Sequence, residues 1–136
     1  MNLFTYGSLM FEPVWSTLVR QPHASMLARI DDFDRQGVLD ELYPGLIHKP
    51  GAHTQGRLWL GLNDSEVAVL DAFEGVSYHR QSVQVAISAR RGGQTRVPAQ
   101  VYVFSDTQRL TGRPWDMQRF RDFDLERFLA HERPGA

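Results

Sequence analysis

A chain of 136 residues, 42% hydrophobic and 23% charged, is long enough to bury its own core and short enough for a single domain over 1–136. The absence of cysteine excludes disulfides, a thiolate nucleophile and thiolate-held metal, and a net charge of -1 weighs against a dedicated nucleic-acid binder. The opening MNLFTYGSLM has neither a basic leader nor a long apolar run, and no later segment is apolar over a membrane-spanning length, so a cytoplasmic protein without membrane attachment is expected.

Residues 2–6 are apolar and run into Gly7-Ser8, the pattern of a buried strand entering a tight turn. Residues 12–19 read as a helix, with Pro13 tolerated in its first turn and Val14, Trp15 and Leu18 at helical spacing. Residues 26–30 read as a strand and 36–42 as a weaker one. Residues 43–55 contain Pro44, Gly45, Pro50 and Gly51 and read mostly as loop. Residues 55–62 alternate, with Leu58, Leu60 and Leu62 on one face and Arg57, Trp59 and Gly61 on the other. Asp64 or Ser65 is placed to cap a helix through Phe73, striped by Val67, Leu70 and Phe73 and stopped at Gly75. Residues 82–89 and 97–104 form a hairpin about Arg91-Gly92-Gly93. Asp116 caps a final helix that offers Phe120, Phe123 and Phe128 to a core. Strands and helices are interspersed without a βαβ rhythm. The expected fold is α+β, with a mixed, largely antiparallel sheet curled into a small barrel and flanked by helices.

Two segments carry the chemistry. One is Phe4-Thr5-Tyr6-Gly7-Ser8-Leu9-Met10; the other is the run from Leu70 to Arg80, LDAFEGVSYHR. In this order and separation they resemble the γ-glutamyl cyclotransferase-like superfamily, in particular the branch holding AIG2-like proteins and γ-glutamylamine cyclotransferase. Tyr43-Pro44 between the motifs, Gly56-x-Leu58 before the helix and Val101-Tyr102-Val103 in the hairpin extend the resemblance over residues 2 to about 105. It implies a barrel-like mixed sheet and a cofactor-free reaction. The α-amine of a γ-glutamyl group attacks its own side-chain carbonyl, giving 5-oxoproline and a free amine. The partner implied is a small-molecule γ-glutamyl substrate, taken by a protein expected to act as a monomer.

The resemblance places proton transfer on Glu74, within Phe-Glu-Gly. Elementary electrostatics agrees with that role. A carboxylate at a helix C-terminus meets the negative end of the helix dipole, and burial beside Phe73 disfavours its charge further. Both effects move its proton affinity toward neutrality, where a general base that later serves as acid works best. Tyr6-Gly7-Ser8-Leu9 is the expected substrate cradle. Gly7 permits a sharp turn, and successive backbone N–H groups there can hold either the substrate α-carboxylate or the developing oxyanion. The resemblance favours the amides of Gly7 to Leu9 gripping the glutamyl moiety. Tyr78 and Arg80 match the family's Tyr-x-Arg and are expected to line or brace the site, and Tyr43 is a candidate pocket wall.

Other residues offer less. Ser8 lacks the G-x-S-x-G surround of a nucleophile elbow. Lys49, the lone lysine, precedes Pro-Gly and makes a poor Schiff-base candidate. His23, His48, His53, His79 and His131 show no metal-ligand spacing, and His48 and His53 read as exposed loop residues. Three other readings stand beside a cyclotransferase. One is a non-catalytic binding or regulatory protein recognising a glutamyl-like molecule. Another is a related enzyme removing a γ-glutamyl protecting group. The most distant is an interaction module suggested only by Arg90-Arg91 at the hairpin tip.

Overall fold

The structure is a computed structural model in which residues 1–131 are described. Six strands form one mixed sheet: β1 (Leu3–Thr5), β2 (Ser25–Val38), β3 (Pro44–Trp59), β4 (Tyr78–Ser88), β5 (Gln94–Phe104) and β6 (Leu110–Pro114). β1 pairs antiparallel with β3 and parallel with β5; β3 pairs with β2, β2 with β4 through Arg29 and Ala86, and β4 with β5. The first five strands thus close a ring, the expected barrel, while β6 hangs from the far end of β2. Helices α1 (Glu12–Leu18) and α2 (Asp64–Glu74) flank it. They are joined by a C-terminal helical segment made of α3 (Met117–Arg119), a π-helical turn (Phe120–Asp124) and α4 (Leu125–His131).

The expected weak strand at 36–42 and the loop at 43–55 are replaced by a long ribbon of β2 and β3. Its Pro and Gly residues mark contacts and a bulge rather than a break. A Cβ on Gly56 would lie 2.2 Å from the Thr5 carbonyl oxygen, and one on Gly45 would lie 2.8 Å from Phe104 Cβ. Gly51, at φ +87°, faces the irregularity between Asp31 and Phe33, where its N–H donates to Asp32 Oδ1. β4 begins at Tyr78, earlier than the alternating pattern suggests, directly after a 3-10 turn over Gly75–Ser77. β6 is a strand that the sequence pattern does not announce.

Phe4, Ile30, Leu46, Leu58, Val85 and Val101 are wholly buried. α1 is pinned to β3 by Trp15 stacked on Trp59, their ring centroids 4.1 Å apart. The α2 cap is Asn63 rather than Asp64 or Ser65. Its side chain accepts from the Glu66 N–H while the Glu66 carboxylate accepts from the Asn63 N–H, a reciprocal capping box. In the C-terminal segment Phe120 and Phe128 are buried as expected, and Phe120 lies against Phe11 and Trp115. Phe123 is 75% exposed, contrary to expectation. It lies within the π-helical turn, whose wider winding takes it off the buried stripe.

Candidate active site

Glu74 ends α2. Its helix positions the side chain from the outside of the barrel, and Gly75 lets the chain leave in a conformation (φ +73°) that favours glycine. Glu74 is 1% exposed, and neither carboxyl oxygen has a hydrogen-bond partner among the described residues. The only other such buried side-chain atom among them is Trp59 Nε1. A polar group this deeply buried without partners costs stability, so its retention calls for an explanation. Burial pushes the Glu74 carboxyl well above the usual carboxylate range, and the negative charge of Asp71, one turn earlier on α2, pushes it further.

All four tyrosines of the chain converge on this region. Tyr6, which leads from β1 into the Gly7 turn, is fully buried. Its hydroxyl donates to the Tyr102 carbonyl and accepts from the Leu46 N–H. Burial raises the Tyr6 phenol well above its ordinary range, and the Glu74 charge adds to that. Tyr78 donates to the Pro44 carbonyl at 2.6 Å and packs 6.2 Å from the Tyr43 ring and 5.1 Å from the Phe104 ring. Burial raises its phenol too, followed by Tyr6, Glu74 and Tyr43. Tyr102 donates to Asp71 Oδ1 at 2.7 Å, and burial followed by that hydrogen bond raises its phenol. Glu74 and the residue opening the Gly7 turn therefore share one buried electrostatic environment.

The turn itself is a 3-10 helix over Ser8–Met10, closed by Met10 N–H to the Gly7 carbonyl and Phe11 N–H to the Ser8 carbonyl. Ser8 and Leu9 are completely buried. Arg35 Nη1 reaches across from β2 to donate to the Tyr6 carbonyl at 2.8 Å and the Gln55 carbonyl at 3.2 Å, fastening the entry to the turn onto the β2–β3 ribbon.

Residues 3–121 match the family described as gamma-glutamyl cyclotransferase, AIG2-like. The chain belongs to this family. AIG2-like protein D of Arabidopsis thaliana is 30% identical over 128 residues, covering 94% of this chain and 84% of the relative. AIG2-like protein C of the same plant is 29% identical, covering 95% and 74%. A solution structure of a protein from Arabidopsis thaliana superposes with a TM-score of 0.71 at 25% identity, covering 96% of this chain and 78% of the other. A yeast gamma-glutamyl cyclotransferase specific to glutathione superposes with a TM-score of 0.59, covering 96% and 86%; at 16% identity that likeness is one of fold.

Within this AIG2-like frame the structure brings Glu74, Tyr6, Tyr43 and Tyr78 together, beside the Gly7-Ser8-Leu9 turn. Arg80 stands outside that cluster. Its guanidinium pairs with Asp71, Nε to Oδ1 at 3.0 Å and Nη2 to Oδ2 at 3.3 Å, so it braces rather than lines the buried space. His79 also points elsewhere, onto Ser105 Oγ. His48 and His53 are exposed as expected but stand in β3 rather than in a loop. Sequence reasoning missed Asp71, Tyr102 and Arg35 as neighbours of the site. Asp71 carried a usable signal, since three residues before Glu74 on a helix is the same face. Tyr102 carried a weaker one, because a tyrosine within an apolar strand needs a partner for its hydroxyl. Arg35 carried none, because its contact joins segments distant in sequence.

Proposed function

We propose that the protein is a γ-glutamyl cyclotransferase-type enzyme that releases 5-oxoproline and a free amine from a γ-glutamyl amine or γ-glutamyl peptide. The observation that carries this reading is the Glu74 carboxyl, buried and without a hydrogen-bond partner among the described residues, beside the Tyr6–Leu9 turn. Family membership over residues 3–121 supports it. In this reading the turn amides hold the glutamyl moiety. Glu74 takes a proton from the substrate α-ammonium. The freed amine then attacks the γ-carbonyl carbon, forming the ring C–N bond. As the tetrahedral centre collapses, the bond to the leaving nitrogen breaks and Glu74 returns its proton there. Glu74 then takes the second proton from the ring nitrogen and passes it to the released amine, so the attacking nitrogen loses two protons in all, the leaving nitrogen gains two, and neither water nor an oxidant is consumed. Because both reacting groups belong to one molecule, holding the glutamyl chain in a folded pose accounts for a large part of the acceleration.

The described site is closed, with Glu74 and Ser8 both buried, so the substrate must displace covering side chains to enter. Exclusion of water on reclosing strengthens every electrostatic contact made there. The reading is tested by incubating the protein with γ-glutamyl amines, γ-glutamyl dipeptides and glutathione and measuring 5-oxoproline by mass spectrometry. Product with at least one substrate, and loss of turnover by at least about 10²-fold in Glu74→Gln, is expected. No product from any substrate would leave a pocket that binds without turnover.

A further inference from the structure

The ion pair beside the site belongs to a longer chain of contacts. Arg80 on β4 holds Asp71 on α2 through two hydrogen bonds; Tyr102 on β5 donates its hydroxyl to the same Asp71 carboxylate; and the Tyr102 backbone carbonyl accepts from the Tyr6 hydroxyl. The Tyr6 hydroxyl in turn accepts from the Leu46 N–H on β3. Arg80 and Tyr102 face each other directly across the β4–β5 hairpin. The chain therefore runs without a gap from the helix that carries Glu74, through both strands of the hairpin, to the residue that opens the Gly7 turn. The Tyr102–Asp71, Tyr6–Tyr102 and Tyr6–Leu46 links join elements distant in sequence, Arg80 and Asp71 stand nine residues apart, and Asp71 and Glu74 share one helix face.

The geometry points to Asp71 as a positioning residue for Glu74. Clamped by Arg80 and Tyr102, it fixes the last turn of α2 against the hairpin and sets a negative charge beside the buried carboxyl. This assignment rests on the proton-transfer reading of Glu74 given above. It gives Arg80, which contributes nothing to the buried space directly, a defined task as the cation that compensates Asp71. The titratable groups facing Glu74 are Asp71 from its own helix, Tyr6 from the turn, and Tyr78 and Tyr102 from the hairpin. Those facing Asp71 are Arg80 and Tyr102. Among the described residues Asp71 is thus the sole acidic group acting on Glu74, and Arg80 the sole base paired with Asp71.

The charge logic makes two substitutions act with opposite signs. Asp71→Asn keeps the side-chain shape and an acceptor for Tyr102 but removes the negative charge, so Glu74 becomes easier to ionise. Arg80→Gln leaves the Asp71 charge uncompensated, so Glu74 becomes harder to ionise. The Glu74 carboxyl is followed by carbon-13 NMR of glutamate-labelled protein across a pH series, in the free protein and without any substrate. Its midpoint is expected to fall in Asp71→Asn and to rise in Arg80→Gln. The acid limb of kcat/KM against pH is expected to move in the same two directions. A brace that acts only on packing would lower activity in both variants without splitting their midpoints. Folded variants whose Glu74 midpoints stay at the wild-type value, or move in the same direction, would overturn the assignment. If Asp71→Asn does not fold, the upward shift in Arg80→Gln decides alone. Absence of turnover in the wild-type protein would count against the enzymatic reading, while the NMR midpoints would still judge Asp71.

Discussion

At the scale of single residues, the unusual feature is a carboxyl group kept where its charge is disfavoured. Glu74 has its proton affinity raised first by burial and then by Asp71. A raised carboxyl contributes stability that is fully present below its unfolded value of about 4.5 and is lost as pH rises through the higher folded value. Chemical denaturation of the wild-type protein over a pH series is therefore expected to show stability declining above the ordinary carboxylate range. Glu74→Gln, which is neutral at every pH, is expected to flatten that part of the decline. An unchanged slope in the variant would mean that Glu74 ionises freely in the folded protein. The residue itself, its helix-end position and the following glycine were all legible in the sequence, because Phe-Glu-Gly at the end of an apolar stripe is a local pattern. That both its oxygens lack partners among the described residues was not, since it depends on where Tyr6, Tyr78 and Tyr102 place their hydroxyls.

At the scale of elements, α2 is the part whose orientation matters most, because it delivers both Asp71 and Glu74. Its start is held by the Asn63–Glu66 capping box, and Glu66 is in turn bonded by His23. His23 Nδ1 meets the Leu60 carbonyl and Nε2 meets Glu66 Oε2, both at 2.8 Å. Each partner can only accept, so both ring nitrogens must donate and the imidazole carries a positive charge. Glu66, followed by the Leu60 carbonyl, accordingly raises the His23 proton affinity, against burial and the N-terminal ammonium. Stability from this link is fully present below the unfolded value of 6.5 and is lost as pH rises through the folded value. Comparing denaturation at about pH 6 and about pH 9, His23→Gln is expected to lose the part of the difference that the wild type owes to this contact. Equal pH dependence in the two proteins would show that the imidazole is not charged there. The helix was readable from its periodicity and stop signal. Its capping residue was not, because Asn63, Asp64 and Ser65 are all competent and the choice followed Glu66 three residues after Asn63.

At the scale of the whole molecule, β3 joins β2 to β1 in the closed ring, and Gly56 stands where β3 packs against the end of β1. A methyl group there would overlap the Thr5 carbonyl oxygen and the Phe4 ring, immediately before the Tyr6–Leu9 turn. Gly56→Ala is expected to lower the unfolding free energy by about 1–3 kcal/mol, the usual range for overpacking, and, under the proposed cyclotransferase function, to reduce 5-oxoproline formation along with it. Denaturant unfolding measures the first and the mass-spectrometric assay the second; a variant as stable as the wild type would show that the strands can separate there without cost. The curled α+β sheet, the two flanking helices and the 82–104 hairpin were determined by the sequence itself, while the joint role of the Tyr6–Leu9 turn and Glu74 was expected only from the family resemblance. Hydrophobic period, turn residues and helix signals act over a few residues and survive without a partner. The long β2–β3 ribbon, the edge strand β6, the outward rotation of Phe123 and the Arg80–Asp71–Tyr102–Tyr6 chain were decided only by tertiary structure. In each, the deciding contact lies between separate elements or depends on a winding irregularity, so no local pattern reports it. Proline and glycine in residues 43–56 meant close backbone approach rather than a loop, and only the neighbouring strand could distinguish the two.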